Sequence, residues 1–280
     1  MVITVVGLGL IGGSLSIDLK ERGFASRIIG VDNNCEHCKI ALEKGIADEI
    51  SSLEEGIEKA DLIILSTPAD IALLILPRIL DLCRSKVVTD VCSTKGSIAS
   101  EVYSHQNRKQ YVASHPMAGT EFSGPKSAFS GLFENKTTII CDKNLSGKQA
   151  LKIVTNMYKT LNMKIVNMSA YEHDMHAAYV SHISHISSFV LSITVLEKEM
   201  DEKKIFELAG GGFESTVRLA KSSANMWVPI FCQNKENIRT VLKTYIEKLC
   251  EFDSLIAGGN YEQLHTLISE ANKIEKILKK

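Results

Sequence analysis

The sequence predicts an α/β fold: an N-terminal Rossmann-type, doubly wound sheet followed by an all-helical C-terminal domain. The first half of the 280 residues alternates short apolar runs with helical patterns, which is typical of a parallel sheet covered on both faces. After about residue 168 no strand signal appears and long helical patterns follow. We therefore expect domains over residues 1–167 and 168–280.

Short apolar or β-branched runs mark the predicted strands at residues 2–6, 27–31, 60–65, 86–91, 111–114, 137–141 and 163–167. Helical patterns lie between them, at residues 15–22, 71–83, 95–103 and 147–161. The second half predicts helices over 171–200, 215–221, 226–232 and 234–257, with a last one starting at residue 261. The strand-helix alternation of the first half predicts parallel pairing throughout the sheet.

A glycine-rich turn directly follows the first predicted strand. Gly7, Gly9 and Gly12, with Leu10 and Ile11 between the last two, fit the pattern G-x-G-x-x-G. The first glycine allows a tight turn, the second lets backbone approach a pyrophosphate, and the third lets helix pack on strand. A helix that starts here presents free N–H groups to phosphates. This context predicts a dinucleotide site.

Asp32 ends the second predicted strand, twenty residues after Gly12. A carboxylate there can accept hydrogen bonds from ribose hydroxyls and repels a 2′-phosphate. The next residues, Asn33 and Asn34, are neutral, so no arginine is placed for a phosphate. We expect NAD as the cofactor.

Polar residues follow the predicted strands at the edge where ligands bind in this fold: Ser66, Thr67, Pro68, Ser93, His115 and Glu121. His115 has a side chain that can take a proton from an alcohol while hydride leaves the same carbon. Activity should then rise with pH through a group near neutrality. Ser93 can bind a substrate hydroxyl or orient the imidazole, and it can also cap the next helix. Lys95 is either an active-site cation or a solvated helix lysine.

The long helix of the second half carries His182 and His185, three residues apart on one face. A metal site would need a third ligand and a carboxylate shell, and neither is placed for it, so we expect no metal. We expect His185 to face the cleft between the domains. Trp227, the single tryptophan, either lines a substrate pocket or belongs to the core.

Three glycines at positions 210–212 precede Ser215 and Arg218. We expect Ser215 to cap a short helix whose first turn carries Arg218. A helix N-terminus beside a guanidinium would bind a carboxylate.

Charge and composition exclude several classes of partner. The net charge of −1 argues against nucleic acid, which needs a basic face. Seven scattered cysteines indicate reduced thiols, and the strand that begins at Val2 leaves no signal peptide. No apolar stretch appears long enough for a bilayer. We expect a cytoplasmic protein without membrane contact. Helices that are apolar on several faces, such as residues 180–196, favour a homodimer.

Five runs in the chain resemble prephenate dehydrogenase and its arogenate-using relatives: residues 7–14, 90–95, 114–121, 181–185 and 212–220. The resemblance implies NAD-dependent oxidative decarboxylation of prephenate to 4-hydroxyphenylpyruvate in tyrosine synthesis. It also implies that His115 engages the ring hydroxyl with support from Ser93, and that Arg218 binds a substrate carboxylate. The resemblance further implies a pocket lined by His185, Glu121 and Trp227. Some relatives carry an acidic residue at the position of Ser215.

Three alternatives remain open at this point. The substrate could be arogenate, which differs from prephenate only by an amino group in place of the keto group. The chain could be a two-domain dehydrogenase of the β-hydroxy acid type, in which a lysine such as Lys95 is the base and His115 is dispensable. It could also be an NAD-sensing module without catalysis, which would need neither His115, Ser93 nor Arg218.

Overall fold

The computed structural model, which describes residues 1–202 and 204–278, contains an eight-stranded sheet. Its strands are β1 (Val2–Val6), β2 (Arg27–Val31), β3 (Glu49–Ile50), β4 (Leu62–Leu65), β5 (Val87–Asp90), β6 (Tyr111–Pro116), β7 (Thr137–Cys141) and β8 (Lys164–Met168). Their order in space is β3-β2-β1-β4-β5-β6-β7-β8. The direction of winding reverses between β1 and β4, the point at which such sheets bind ligands.

Pairing in the sheet is parallel except between β6 and β7, which run antiparallel, with His115 opposite Ile139. The expectation of an all-parallel sheet was wrong at this pair. The two-residue strand β3 was not predicted, because a strand this short has no periodicity to detect. Strand β6 continues to Pro116, so His115 lies inside the carboxyl end of the strand and not beyond it.

Thirteen α-helices, joined by loops and short 3-10 turns, lie between and after the strands in the described chain. They are α1 (Leu10–Glu21), α2 (Cys35–Glu43), α3 (Leu53–Lys59), α4 (Ala69–Leu82), α5 (Gly96–Glu101), α6 (Lys148–Thr160), α7 (Ala170–Ala177), α8 (Ile183–Glu202), α9 (Gly211–Val217), α10 (Ala224–Gln233), α11 (Lys235–Ala257), α12 (Tyr261–Ala271) and α13 (Glu275–Leu278).

Two apolar layers sandwich the sheet because alternate side chains of a strand point to opposite faces. In β4, Leu62 and Ile64 belong to one layer, while Ile63 and Leu65 belong to the other. All four side chains are buried. Burial on both faces explains why this strand is a continuous apolar run in the sequence.

The predicted helix over residues 171–200 is a continuous helical run with a wider, π-helical turn at Ala178–His182 between α7 and α8. Such turns are frequent at functional sites. By length and composition alone, Ala170–Glu199 could cross a membrane, so the expectation that no stretch is long enough was wrong on that criterion. This is weak evidence, because core helices pass the same test.

Two predicted helix starts were wrong. Lys95 is the N-cap of α5, so Ser93 does not cap that helix. Gly210 is the N-cap of α9, which places Ser215 inside the helix and Arg218 at its carboxyl end.

The contacts divide the chain into two units, Met1–Lys235 and Glu236–Lys280. The first holds the sheet and the helices up to α10. The second holds nearly all of α11 together with α12 and α13, and Gly259, with a φ of 65°, follows the end of α11. The predicted boundary at residues 167 and 168 stays a prediction.

Candidate active site

The glycine turn after β1 forms a tight cradle at the carboxyl edge of the sheet. Gly7 has a φ of 97°, and a Cβ there would lie 2.5 Å from the carbonyl oxygen of Ser66. A Cβ on Gly12 would lie 2.1 Å from the carbonyl oxygen of Gly7. By contrast, a Cβ on Gly9, the N-cap of α1, would meet no described atom within 4 Å. Closed backbone at two glycines and open space at the helix N-terminus fit a dinucleotide pyrophosphate.

Asp32 is held beside this turn at the end of β2. Its Oδ2 accepts the backbone N–H of Leu8 at 2.8 Å, and its Oδ1 accepts that of Asn34 at 2.9 Å. A carboxylate has about four acceptor positions, so capacity for ribose hydroxyls remains. The arrangement fits the role predicted for Asp32 with NAD.

The other predicted cofactor residues lie around the same turn. Leu10 and Ile11 form the first turn of α1, and Pro68 is the N-cap of α4. The Oγ1 of Thr67 is buried and has no hydrogen-bond partner in the described part of the chain. The carbonyl of Thr67 lies 3.7 Å from the Sγ of Cys92, which joins the loops that follow β4 and β5.

His115 is linked through a second histidine to a buried carboxylate. Its Nδ1 lies 2.8 Å from the Nε2 of His173, and the Nδ1 of His173 lies 2.8 Å from the Oδ1 of Asp174. His173 and Asp174 belong to α7 and are buried, whereas His115 is partly exposed. The Nε2 of His115 has no hydrogen-bond partner among residues 1–202 and 204–278, so it is available to a ligand.

Burial holds the pKa of His115 well below its usual 6.5, and the nearby His173, Lys95 and His182 lower it further. The imidazole is therefore neutral at and well below neutral pH. This direction places the titration of His115 below the near-neutral range expected from the sequence, because desolvation disfavours the charged ring. A neutral ring is the form that can accept a proton.

Lys95 is neither a free cation nor a solvated helix residue. Its ammonium is fully buried, pairs with Asp90 at the end of β5, and donates to the carbonyl oxygen of Ser114 at 2.8 Å. Burial alone would lower its pKa, but the Asp90 carboxylate raises it. Both expectations for Lys95 were wrong, because the ion pair of Lys95 with Asp90 is buried in the protein and does not reach solvent or the ligand edge. Lys95 supports the strand that carries His115.

Ser93 lies in the loop between β5 and α5, two residues before Lys95. It is partly exposed, and its hydroxyl makes no hydrogen bond to any described residue. Its neighbour Thr94 donates to the side-chain oxygen of Gln233 at 2.6 Å, which ties the loop to α10. The hydroxyl of Ser93 is thus free for a ligand.

An aromatic cluster is formed by the rings of His182, His185 and Trp227. The ring of His185 stacks on that of Trp227 with centroids 3.7 Å apart, and His182 meets the same indole edge-on at 5.8 Å. His182 is buried, and burial lowers its pKa to about 4, while His185 is partly exposed. Trp227 is 5% exposed, and its Nε1 has no hydrogen-bond partner in the described chain. That buried donor is available to a ligand.

Arg218 pairs with Glu121 at 3.1 Å and is half exposed. The predicted carboxylate site at a helix N-terminus was wrong, because Arg218 lies at the opposite end of α9. The guanidinium itself remains available, since one of its five N–H donors serves Glu121. The predicted residues Arg218 and Glu121 are thus brought together directly.

Sequence reasoning gave no role to His173, Asp174 or Asn234. Asn234 donates to the carbonyl oxygen of Asp174 at 2.7 Å, and its Nδ2 lies 3.2 Å from the Nδ1 of His182. Through Asn234, the hydrogen-bonded series of Asp174, His173 and His115 is connected to the aromatic cluster that contains His182 and Trp227. The signal in the sequence was the pair of adjacent titratable residues, His173 and Asp174, near the start of a helix. Both side chains are buried in the structure. In the described residues, no group of three His, Cys, Asp or Glu side chains could hold a metal ion.

The fold, the glycine cradle and the paired histidine define the class of NAD-dependent dehydrogenases with a helical C-terminal domain. A family model described as prephenate dehydrogenase, nucleotide-binding domain, matches residues 15–167. A second, described as prephenate dehydrogenase, dimerization domain, matches residues 169–270. The chain belongs to the prephenate dehydrogenase family.

Similar proteins agree with this membership. The prephenate dehydrogenase of Bacillus subtilis is 32% identical over 94% of this chain and 72% of its own length. The prephenate dehydrogenase of Lactococcus lactis is 30% identical over 99% of this chain and 77% of its own length. Among solved structures, that of prephenate dehydrogenase from A. aeolicus in complex with hydroxyphenyl propionate and NAD+ matches with a TM-score of 0.87. Its sequence is 31% identical, and the match covers 99% of this chain and 97% of that chain. The Synechocystis arogenate dehydrogenase structure is 29% identical with a TM-score of 0.78, covering 99% of each chain.

Proposed function

We propose that this chain catalyses the NAD-dependent oxidative decarboxylation of prephenate to 4-hydroxyphenylpyruvate, a step in tyrosine synthesis. The observation that carries the proposal is the unpartnered Nε2 of His115 at the carboxyl edge of β6. The glycine cradle after β1 lies at the same edge of the sheet, because β1 and β6 are both parallel to the strands between them.

The residues divide the work between proton transfer and binding. His115 accepts the proton of the ring hydroxyl at Nε2, and Ser93 offers a hydroxyl to the same oxygen. Arg218 binds a carboxylate of the substrate, with His185 and Trp227 as an aromatic wall and the indole N–H as a further donor. The glycine cradle and Asp32 would hold NAD, which would supply the acceptor for the hydride of the ring carbon. The bond between the ring and its carboxylate then breaks, carbon dioxide leaves, and the electron pair of that bond completes the aromatic ring. The ring oxygen regains the proton from His115, which gives the phenol of the product.

The burial of Lys95 argues against the alternative in which a lysine is the base. Its ammonium already donates to Asp90 and to the carbonyl oxygen of Ser114, and the whole side chain is out of contact with solvent. A general base must reach its substrate within hydrogen-bond distance. The Nε2 of His115 has no partner among the described residues and can approach a ligand, whereas the ammonium of Lys95 is fully buried.

The decisive experiment is NADH formation by the purified protein with prephenate, arogenate and a 3-hydroxy acid as separate substrates. We expect turnover of prephenate with release of 4-hydroxyphenylpyruvate. Faster turnover of arogenate would identify the arogenate-using alternative. Turnover of the 3-hydroxy acid alone would overturn the proposal, and NAD binding without any turnover would indicate a sensing module.

A homodimer is the proposed assembly. On α8, the side chains of Val190, Ile193 and Leu196 recur at three-residue intervals and are each more than half exposed. A second copy of the chain would cover this apolar stripe, in keeping with the dimerization domain of the matching family. Light scattering of the purified protein should give twice the mass of one 30.8 kDa chain.

A cytoplasmic location is also proposed. The seven cysteines are all free, as expected in a reducing compartment. Cell fractionation should recover the protein with cytoplasmic markers and not with membranes.

A further inference from the structure

The imidazole of His115 belongs to a line of three groups, Asp174, His173 and His115. Both contacts in the line are 2.8 Å. His173 is 1% exposed and Asp174 is 4% exposed, so water does not compete for these hydrogen bonds. Each of the two contacts contains one proton. Groups that can only donate, or only accept, determine on which atom each proton lies.

Asp174 determines the direction of the line. Its Oδ1 accepts the backbone N–H of Lys95 at 2.7 Å, and its Oδ2 accepts that of Gly96 at 2.8 Å. Backbone N–H groups are donors only, and two of them stabilise the ionised carboxylate. An ionised carboxylate is an acceptor only, so the Nδ1 of His173 carries the proton that it shares with Asp174.

The tautomer of His115 follows. With the proton of the uncharged ring on Nδ1, the lone pair of His173 is on Nε2, which faces the Nδ1 of His115. That Nδ1 must therefore carry a proton and donate it. The other nitrogen of His115, Nε2, is left with a lone pair and without a partner among the described residues.

We propose that His173 and Asp174 are positioning residues that hold His115 in the Nδ1–H tautomer, with Nε2 ready to accept a proton from the substrate. The proposal rests on the function proposed above and deepens it. When Nε2 takes the proton, the positive ring donates through Nδ1 to His173, and the charge of Asp174 lies behind it. Partners of this kind fix both the ring orientation and the basicity of a histidine.

The same carboxylate also orders the loop that carries Ser93. Lys95 and Gly96, whose N–H groups bind Asp174, follow that loop directly and begin α5. A Cβ on Gly96 would lie 2.9 Å from the Oδ2 of Asp174, so any larger residue would displace that carboxylate oxygen. Asp174 thereby couples the position of Ser93 to the ring of His115.

The substitution His173→Phe tests the proposal, because it keeps a ring and removes both nitrogens. We expect kcat with prephenate to fall roughly 10- to 100-fold, the usual scale for a lost supporting partner, with KM changed less than about twofold. His173→Gln should recover part of the loss, since an amide can donate to Asp174 and accept from His115. The matched control is His105→Phe, which removes a histidine paired with Asp81 at 3.1 Å and lying outside the active site. It should leave kcat unchanged.

A spectroscopic measurement tests the tautomer without substrate. In protein labelled with ¹⁵N in the histidine rings, native His115 should show a protonated Nδ1 and an unprotonated Nε2, and His173→Phe should show a mixture. A proton on Nε2 of native His115 would overturn the proposal. So would native kcat in His173→Phe with only a lowered melting temperature. Failure of the native protein to turn over prephenate would count against the proposed function alone, because the ring spectra do not depend on it.

Discussion

Arg218 donates a hydrogen bond to Glu121 at 3.1 Å, across 97 positions of sequence. The pair joins the loop after β6 to the end of α9. The Glu121 side chain is largely shielded, at 17% exposure, whereas that of Arg218 is 50% exposed. Its own backbone N–H and the Arg218 guanidinium hold the pKa of Glu121 below its usual value. A substrate carboxylate would therefore meet a guanidinium that is already oriented.

Replacing Arg218 with alanine should raise the KM for prephenate strongly while the Kd for NAD stays unchanged. A charge-assisted contact is worth about 1.5–3 kcal/mol, or roughly ten- to a hundredfold in affinity. Arg218→Lys should recover only part, since an ammonium cannot make a two-pronged contact. Arg78→Ala, which breaks an exposed pair with Glu54, is the matched control. An unchanged KM in Arg218→Ala together with a lower melting temperature would show that the residue is structural.

His115→Asn should lower kcat roughly 10²- to 10⁴-fold, the scale of a lost general base, with little change in NAD affinity. Asparagine is close in size and can still bond to His173, so the fold should persist. Steady-state kinetics with prephenate and a fluorescence titration with NAD provide the two readouts. Near-native turnover would rule out His115 as the base.

The kcat/KM for prephenate should stay level as pH falls from 8 to 6.5, and decrease only well below 6.5. The reason is that burial first, and then His173, Lys95 and His182, lower the pKa of His115, so the free enzyme keeps a neutral ring over that interval. Activity is present above this lowered pKa and is lost as pH falls through it. Circular dichroism at each pH checks that the protein is folded. A midpoint near 7 assigned to His115 would contradict the placement of the ring.

Asp32→Ser combined with Asn33→Arg should relax or reverse the preference for NAD over NADP. The substitution removes the acceptor for ribose hydroxyls and supplies a cation for a 2′-phosphate. Asp61→Ser is a suitable control, because Asp61 also accepts a backbone N–H, that of Val2, but at the opposite edge of the sheet. Equal kcat/KM for both cofactors in the native protein would mean that Asp32 does not contact the ribose.

Lys95→Met should destabilise the protein by about 3–5 kcal/mol in urea unfolding, because it leaves the Asp90 carboxylate buried without its partner. Asp90→Asn should cost a comparable amount, since either change breaks the same pair. Folded Lys95→Met should keep measurable turnover. A stable Lys95→Met variant without activity would instead support the lysine-base alternative.

Much of the fold follows from local sequence. The runs Val2–Val6, Arg27–Val31 and Thr137–Cys141 are strands with the predicted bounds, because β-branched and apolar residues dominate their buried positions. The cradle at Gly7 and Gly12 also follows, since neither position leaves room for a Cβ. These features depend on neighbours along the chain or on a repeating pattern.

The contacts that the candidate active-site residues make could not be predicted from the sequence, because they depend on tertiary structure. The burial of Lys95, the pairing of Arg218 with Glu121 and the contact of His115 with His173 join residues 5 to 97 positions apart. The helix that ends at Arg218 begins at Gly211, after the N-cap Gly210, and not at Ser215 as predicted. The sequence by itself determined which residue types stand at the carboxyl edge of the sheet. Only the tertiary placement of α7, and of Arg218 at the end of α9, decided their partners, since hydrogen bonds and desolvation depend on distances in space and not along the chain.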